Sequence, residues 1–237
     1  MKTRHLLSFG CLTLGAGLLH AGESVTEDFE SYPEGTSVVS AGWKYFSGQG
    51  SIDDAMVGSP SAAANPSARV LTGSADGRDL QMTKPFGAPW AYTGANNKIE
   101  YRVKVVPQAT GSGVQPISFG VATDSGKVLP LFGVCANPES RQECRFQVNE
   151  TESGELFPAG HLYELWLTID TDKGLPNARA TLKMRDLSAG QKEWTTVPGL
   201  EEVKFYLEGA WNPRAWKGWY IRSSYRREVD DLSLSAS

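Results

Sequence analysis

Period-two alternation of apolar and polar residues limits the fold of this 237-residue chain more than any other feature. Only a pleated strand with one buried face rewards that period. In 98–106, Ile99, Tyr101, Val103 and Val105 share one side, and Glu100, Arg102 and Lys104 share the other. In 163–170, Leu165, Leu167 and Ile169 point inward, with Glu164, Trp166 and Thr168 opposite. The runs 116–123, 128–134, 145–149, 179–187, 203–207, 219–226 and 228–234 read as further strands. Turn signals such as Asp124-Ser-Gly, Asp172-Lys-Gly and Ser188-Ala-Gly separate them. No long amphipathic helix pattern interrupts the series. The expected class is all-β, a two-sheet antiparallel sandwich of jelly-roll type. Residues 48–68, rich in Gly, Ser, Ala, Asn and Pro, read as a long surface loop of that domain.

The first residues set the expected compartment. Lys2 and Arg4 precede an apolar stretch from Leu6 to Leu19, and polar sequence begins at Glu23. That is the layout of a secretory signal peptide cleaved after Ala21, leaving 22–237 as one sandwich domain. The stretch is too short for a good membrane span, and no other segment qualifies. Ser8, Phe9 and Gly10 make a poor lipid-attachment signal before Cys11. Losing Lys2 and Arg4 from 23 cations leaves 21 against 27 acids, a net charge of −6. Such a chain lacks the basic footprint of a general nucleic-acid binder. The expectation is an exported monomer. Cys135 and Cys144 would then meet an oxidising compartment and are expected to pair, for roughly 2–3 kcal/mol in a chain-entropy model. The exported part keeps one histidine, His161, which excludes zinc sites built from several histidines.

The two ends carry a family resemblance. Glu27-Asp28-Phe29-Glu30-Ser31-Tyr32, Gly35 and Gly42-Trp43 stand near the start, and Val229-Asp230-Asp231-Leu232-Ser233-Leu234 near the finish. This frame resembles bacterial secreted jelly-roll domains of the concanavalin A-like lectin/glucanase type, and similar ends occur in carbohydrate-binding modules. The resemblance implies a polysaccharide partner and a structural Ca²⁺ held by acids of the first and last strands. Here those are Glu30 and Asp230, with Asp231 and Asp28 close by. Hard carboxylate oxygens suit that ion. The alternative is that these acids face water and discourage edge pairing.

The aromatic-rich segment near the end is the expected ligand platform. Trp211, Trp216, Trp219, Tyr220 and Tyr225 lie there, interleaved with Asn212, Arg214, Lys217, Arg222, Arg226 and Arg227. Sugar rings stack their C–H faces on such rings, and Arg or Asn bonds hydroxyls and carboxylates. Trp211, Asn212, Arg214, Trp216, Tyr220 and Arg222 are the candidate binding residues, with Trp211 and Trp216 as loop rings. Some of the aromatic residues must instead be core. Cations on the polar strand sides (Arg102, Lys104, Arg145, Lys183, Arg185, Lys204, Arg222, Arg226) would suit an anionic glycan if they shared a sheet. Outer sheet faces are polar in any case.

A non-catalytic binding role is the leading expectation. Glu228-Val229-Asp230-Asp231 lacks the second Glu of a glucanase carboxylate motif. A polysaccharide lyase acting on an acidic polymer is the rival, with Tyr220, Arg222, His161, Arg102 and Gln147 as candidate base and carboxylate-neutralising groups. A structural or adhesive module is the third reading.

Overall fold

The computed structural model describes residues 24–67, 69–72, 79–110, 113–114, 116–137, 139–223 and 228–237. The expected signal segment with Cys11, and Tyr225, Arg226 and Arg227, lie outside the described residues. Among the described residues two antiparallel sheets carry the fold. Nine strands form the larger one, in the order β16 (Thr195–Thr196), β15 (Ala178–Asp186), β14 (Tyr163–Asp170), β6 (Lys98–Val106), β19 (Glu228–Ala236), β4 (Val70–Thr72) and β3 (Met56–Gly58). Strand β1 (Ser24–Glu27) pairs with β19, and β17 (Val203–Phe205) with β15. Eight strands form the second: β12 (Thr151–Glu152), β11 (Glu143–Val148), β10 (Val128–Ala136), β9 (Ile117–Thr123), β18 (Trp216–Ser223), β5 (Leu80–Pro85) and β2 (Lys44–Gly48), with β13 (Phe157–Pro158) on β11. A two-stranded ribbon, β7 (Ala109–Thr110) with β8 (Gly113–Val114), stands apart. This is the expected all-β sandwich.

The core lies between the sheets and follows the alternation. Ile99, Tyr101, Val103 and Val105 of β6 are buried, as are Tyr163, Leu165, Leu167 and Ile169 of β14. Aromatic rings tie the two layers. Tyr101 meets Phe132 and Trp219 edge-on, with centroids 5.1 and 5.5 Å apart, and Phe146 meets Tyr163 at 5.2 Å. Each such buried ring contributes about 1.5–3 kcal/mol. Burial also pushes the Tyr101 hydroxyl far above the usual phenol range. One polar pair crosses inside the apolar layer: Lys84 of β5 pairs with Glu27 of β1 and donates to the Tyr32 hydroxyl at 2.7 Å. Burial raises the Glu27 carboxyl against the opposing pull of Lys84.

The expected disulfide is corrected by strand parity. Cys135 pairs with Arg145 across β10 and β11, and Ala136 pairs with Cys144. A one-residue offset puts the two thiols on opposite faces of one sheet. Cys144 packs in the core with its Sγ directed at the Phe157 carbonyl, while Cys135 directs its Sγ to the Arg145 carbonyl. They are not bonded to each other. Burial pushes the Cys135 thiol up to about 11, with Glu152 adding to the rise.

The stretch 48–68 is more ordered than a plain loop. It holds a 3₁₀ turn at Ile52–Asp54 and strand β3 before running over the sheet edge. Asn65 there donates to the buried Asp230 carboxylate at 3.2 Å, and the Ser61 amide donates to Glu228 at 2.8 Å.

Candidate functional site

The outer face of the nine-stranded sheet collects aromatic rings and charge at its centre. Register fixes the arrangement. Trp166 of β14 stands opposite Arg102 on one side and Lys183 on the other. One residue pair along, Glu164 stands between Lys104 and Arg185. Trp194, just before β16, leans in from the β15–β16 hairpin and meets Trp166 edge-on at 5.2 Å. Arg102 lies over Trp166 at 4.3 Å and Lys183 over the same ring at 5.3 Å. Arg185 lies over Trp194 at 4.7 Å. Both indoles are half-buried rather than covered. Cation–ring contacts of this kind contribute about 0.5–1 kcal/mol each when exposed, and they hold the rings in place.

A bulge in β19 opens a hollow beside this cluster. The β6–β19 register shifts between Asp230 and Ser233, and Asp231 takes a φ of 47°. A short polar side chain tolerates that conformation better than most. The shift turns Asp231 outward, where it pairs with Lys104, and leaves Leu232 in the core. The hollow, about 350 Å³, is lined by Thr26, Asp28, Arg102, Glu164, Asp231 and Ser233. Glu164 is bound by Arg185 Nε at 2.6 Å.

The expected platform near the C-terminus is dispersed by the structure. Trp216 opens β18 and is fully buried, so it is a core ring and not a loop ring. It stacks on Trp90 at 6.1 Å, and its indole N–H donates to the Trp211 carbonyl. Trp90 donates to the Pro213 carbonyl. These tryptophans pin the 209–215 turn from below. Trp211 itself is half-buried in a 3₁₀ turn. Asn212 and Arg214 line a separate hollow of about 250 Å³ with Tyr92 and Thr171, at one end of the sandwich. Arg214 donates to the Thr93 carbonyl beside Gly94, where a Cβ would stand 2.6 Å from the guanidinium.

The lyase set is likewise divided. Tyr220, Arg222 and Gln147 belong to the outer face of the eight-stranded sheet, and Arg102 to the opposite outer face. Tyr220 is 2% exposed, covered by the edge of Phe46, and donates to Gln81. Burial pushes its hydroxyl up to about 12, the wrong direction for a base. Arg222 is engaged by Asp79 at 2.8 Å. His161 precedes β14 and bonds Asp186 at 2.7 Å. These five residues form no common site.

The acids expected to hold calcium have protein partners, and Asp230 and Glu30 both bond the 65–69 segment. Asp230 accepts from Asn65 and from the Asp231 amide, Asp231 pairs with Lys104, and Glu30 accepts from the Arg69 amide. Burial raises the Asp230 carboxyl despite bonds from Ser67 and Asn65. Among the described residues no group of three His, Cys, Asp or Glu side chains is placed to hold a metal ion.

The comparisons with known proteins support the fold alone. A carbohydrate esterase of the Shiga toxin-encoding bacteriophage phi24B superposes with a TM-score of 0.52 at 14% identity, over 91% of this chain and 99% of that one. Winged bean acidic lectin, complexed with methyl-α-D-galactose, gives 0.46 at 14% identity over 91% and 99%. Lectin II of Ulex europaeus gives 0.47 at 12% identity over 90% and 98%. No family model matches the chain, and no curated protein matches it in sequence.

Trp194 and Glu164 join the site without having been named as ligand residues from sequence, and Lys183 was named among the strand cations that would suit an anionic glycan. Their signal was partial. Alternation placed Trp166, Lys183 and Arg185 on polar sides, but only the strand order shows that those sides adjoin.

Proposed function

We propose that this is a secreted carbohydrate-binding β-sandwich that takes a glycan on the outer face of its nine-stranded sheet. The Trp166–Trp194 pair beside the 350 Å³ hollow carries this reading. The half-exposed indoles, with cations over their faces, leave apolar ring surface for pyranose C–H groups beside guanidinium and ammonium groups for hydroxyls. Arg102, Glu164, Asp231 and Ser233 around the hollow supply donors and acceptors for hydroxyls. The volume falls within the range of about 300–1,000 Å³ usual for small-ligand sites. The phage esterase provides a precedent for the scaffold, and the residues provide the argument.

Affinity electrophoresis through gels cast with different polysaccharides tests the reading. Trp166→Ala and Trp194→Ala should run unretarded where the wild type is retained. Equal retardation of all three proteins would remove this face from the account. Catalysis is the second reading, favoured by one observation: Glu164 and Asp231 line the same hollow from the strands on either side of β6. Paired carboxylates across a glycan are what hydrolysis needs. New reducing ends that vanish in Glu164→Gln would support it; intact polymer after long incubation would leave binding alone.

A further inference from the structure

We infer that the ligand of this face is an anionic glycan, whose carboxylates or sulfates meet Arg102 and Lys183 on the two sides of Trp166. The inference rests on the proposed glycan site and adds the charge of its ligand. Two cations lean over one ring. Arg102 Cζ is 4.3 Å and Lys183 Nζ 5.3 Å from the Trp166 centroid, so the charges lie no more than 9.6 Å apart (4.3 plus 5.3 Å). That is close to the screening length of about 8 Å at physiological salt, so they repel.

Four other cations are neutralised on the spot. Lys84 has Glu27, Lys104 has Asp231, Arg222 has Asp79, and Arg185 has Glu164 at 2.5 Å. Among the described residues Arg102 has only Glu100, at 3.8 Å, and Lys98 shares that carboxylate at 3.2 Å. Lys183 makes no ion pair among the described residues. In a protein with a net charge of −4, a local excess of positive charge is a departure from the whole. Glu164, the nearest acid on the adjoining row, is already bound by Arg185. The ring fixes both cations at a set height above the sheet. An anionic polymer crossing the ring would meet a guanidinium fork on one side of it and an ammonium on the other. The rest of the sugar would run toward Trp194 and the hollow.

The test uses matched pairs of polymers in affinity electrophoresis of the full chain: polygalacturonate against its methyl ester, and dextran sulfate against dextran. The charged member of at least one pair should bind about tenfold tighter than its neutral partner, the loss expected for a charge-assisted contact. The pair that separates identifies carboxylate or sulfate. Arg102→Gln and Lys183→Gln should each weaken the charged polymer severalfold and flatten the salt dependence. Arg222→Gln, which removes one positive charge from the other sheet, should bind as the wild type does. Equal binding of charged and neutral polymers would overturn the inference and keep the glycan site. Equal weakening by Arg222→Gln would also overturn it, as general charge attraction. No retention by any polymer would overturn the glycan site itself.

Discussion

Two groups of tryptophans do opposite work in this molecule. Trp90, Trp216 and Trp219 sit between or beneath the sheets, and Trp216 and Trp219 are fully buried. Trp90 and Trp216 stack on each other and bond loop carbonyls, while Trp219 packs edge-on against Phe86 and Tyr101. Trp166 and Trp194 sit outside, half-exposed, with cations over their faces. The residue type is the same, and the difference lies in strand parity. Trp219 shares the inward side of β18 with Ile221, whereas Trp166 shares the outward side of β14 with Glu164 and Thr168. A cluster of rings in sequence therefore marks a core corner here. Two rings 28 positions apart mark the surface feature.

That contrast can be broken by substitution. Trp216→Ala should cost about 3–5 kcal/mol, as large-to-small changes in a packed core do, and lower the denaturant midpoint accordingly. Trp194→Ala should leave stability within about 1 kcal/mol and weaken glycan retention about tenfold. Reversed outcomes, a stable Trp216 variant that no longer binds, would return the site to the C-terminal segment.

A smaller effect concerns the buried acids. The Asp230 carboxyl is raised from its ordinary 3.8 by burial, so the unfolded chain releases this proton at lower pH than the folded one. Stability from this group is present below 3.8 and is lost as pH rises through the folded value; Glu27 acts in the same sense. Unfolding free energy should decline over that window by less than about 1.4 kcal/mol per pH unit, and Asp230→Asn should flatten the decline. An unchanged slope in that variant would assign the effect elsewhere. The smallest effect concerns the thiols: a reductant should leave the melting temperature unchanged, because Cys135 and Cys144 face opposite ways. A drop of several degrees would contradict the register of β10 and β11.

The centre of the sandwich was legible because its strands are long and buried on one side. Strands β6, β14 and β15 emerge from alternation with ends within one residue of those observed. The first strands were not. Lys44–Gly48 buries none of its five residues fully, and Val70–Thr72 is three residues long, so neither repeats a period. The site was half legible. Alternation placed Arg102, Trp166, Lys183 and Arg185 on polar sides, but their adjacency needs the order β15-β14-β6, in which β14 and β15 are a hairpin and β6 joins from a distant segment. The cysteine pairing failed for a related reason. Spacing along the chain allows the pairing, but the register of β10 and β11 decides the face and sets the two thiols apart.

The most direct test follows the indole N–H resonances of the seven tryptophans, assigned by single Trp→Phe variants, as a retained oligosaccharide is added. The account predicts that Trp166 and Trp194 shift with the ligand while Trp43, Trp90, Trp216 and Trp219 stay fixed. Shifts confined to Trp211 and Trp216 would place the ligand at the Asn212–Arg214 hollow and contradict it.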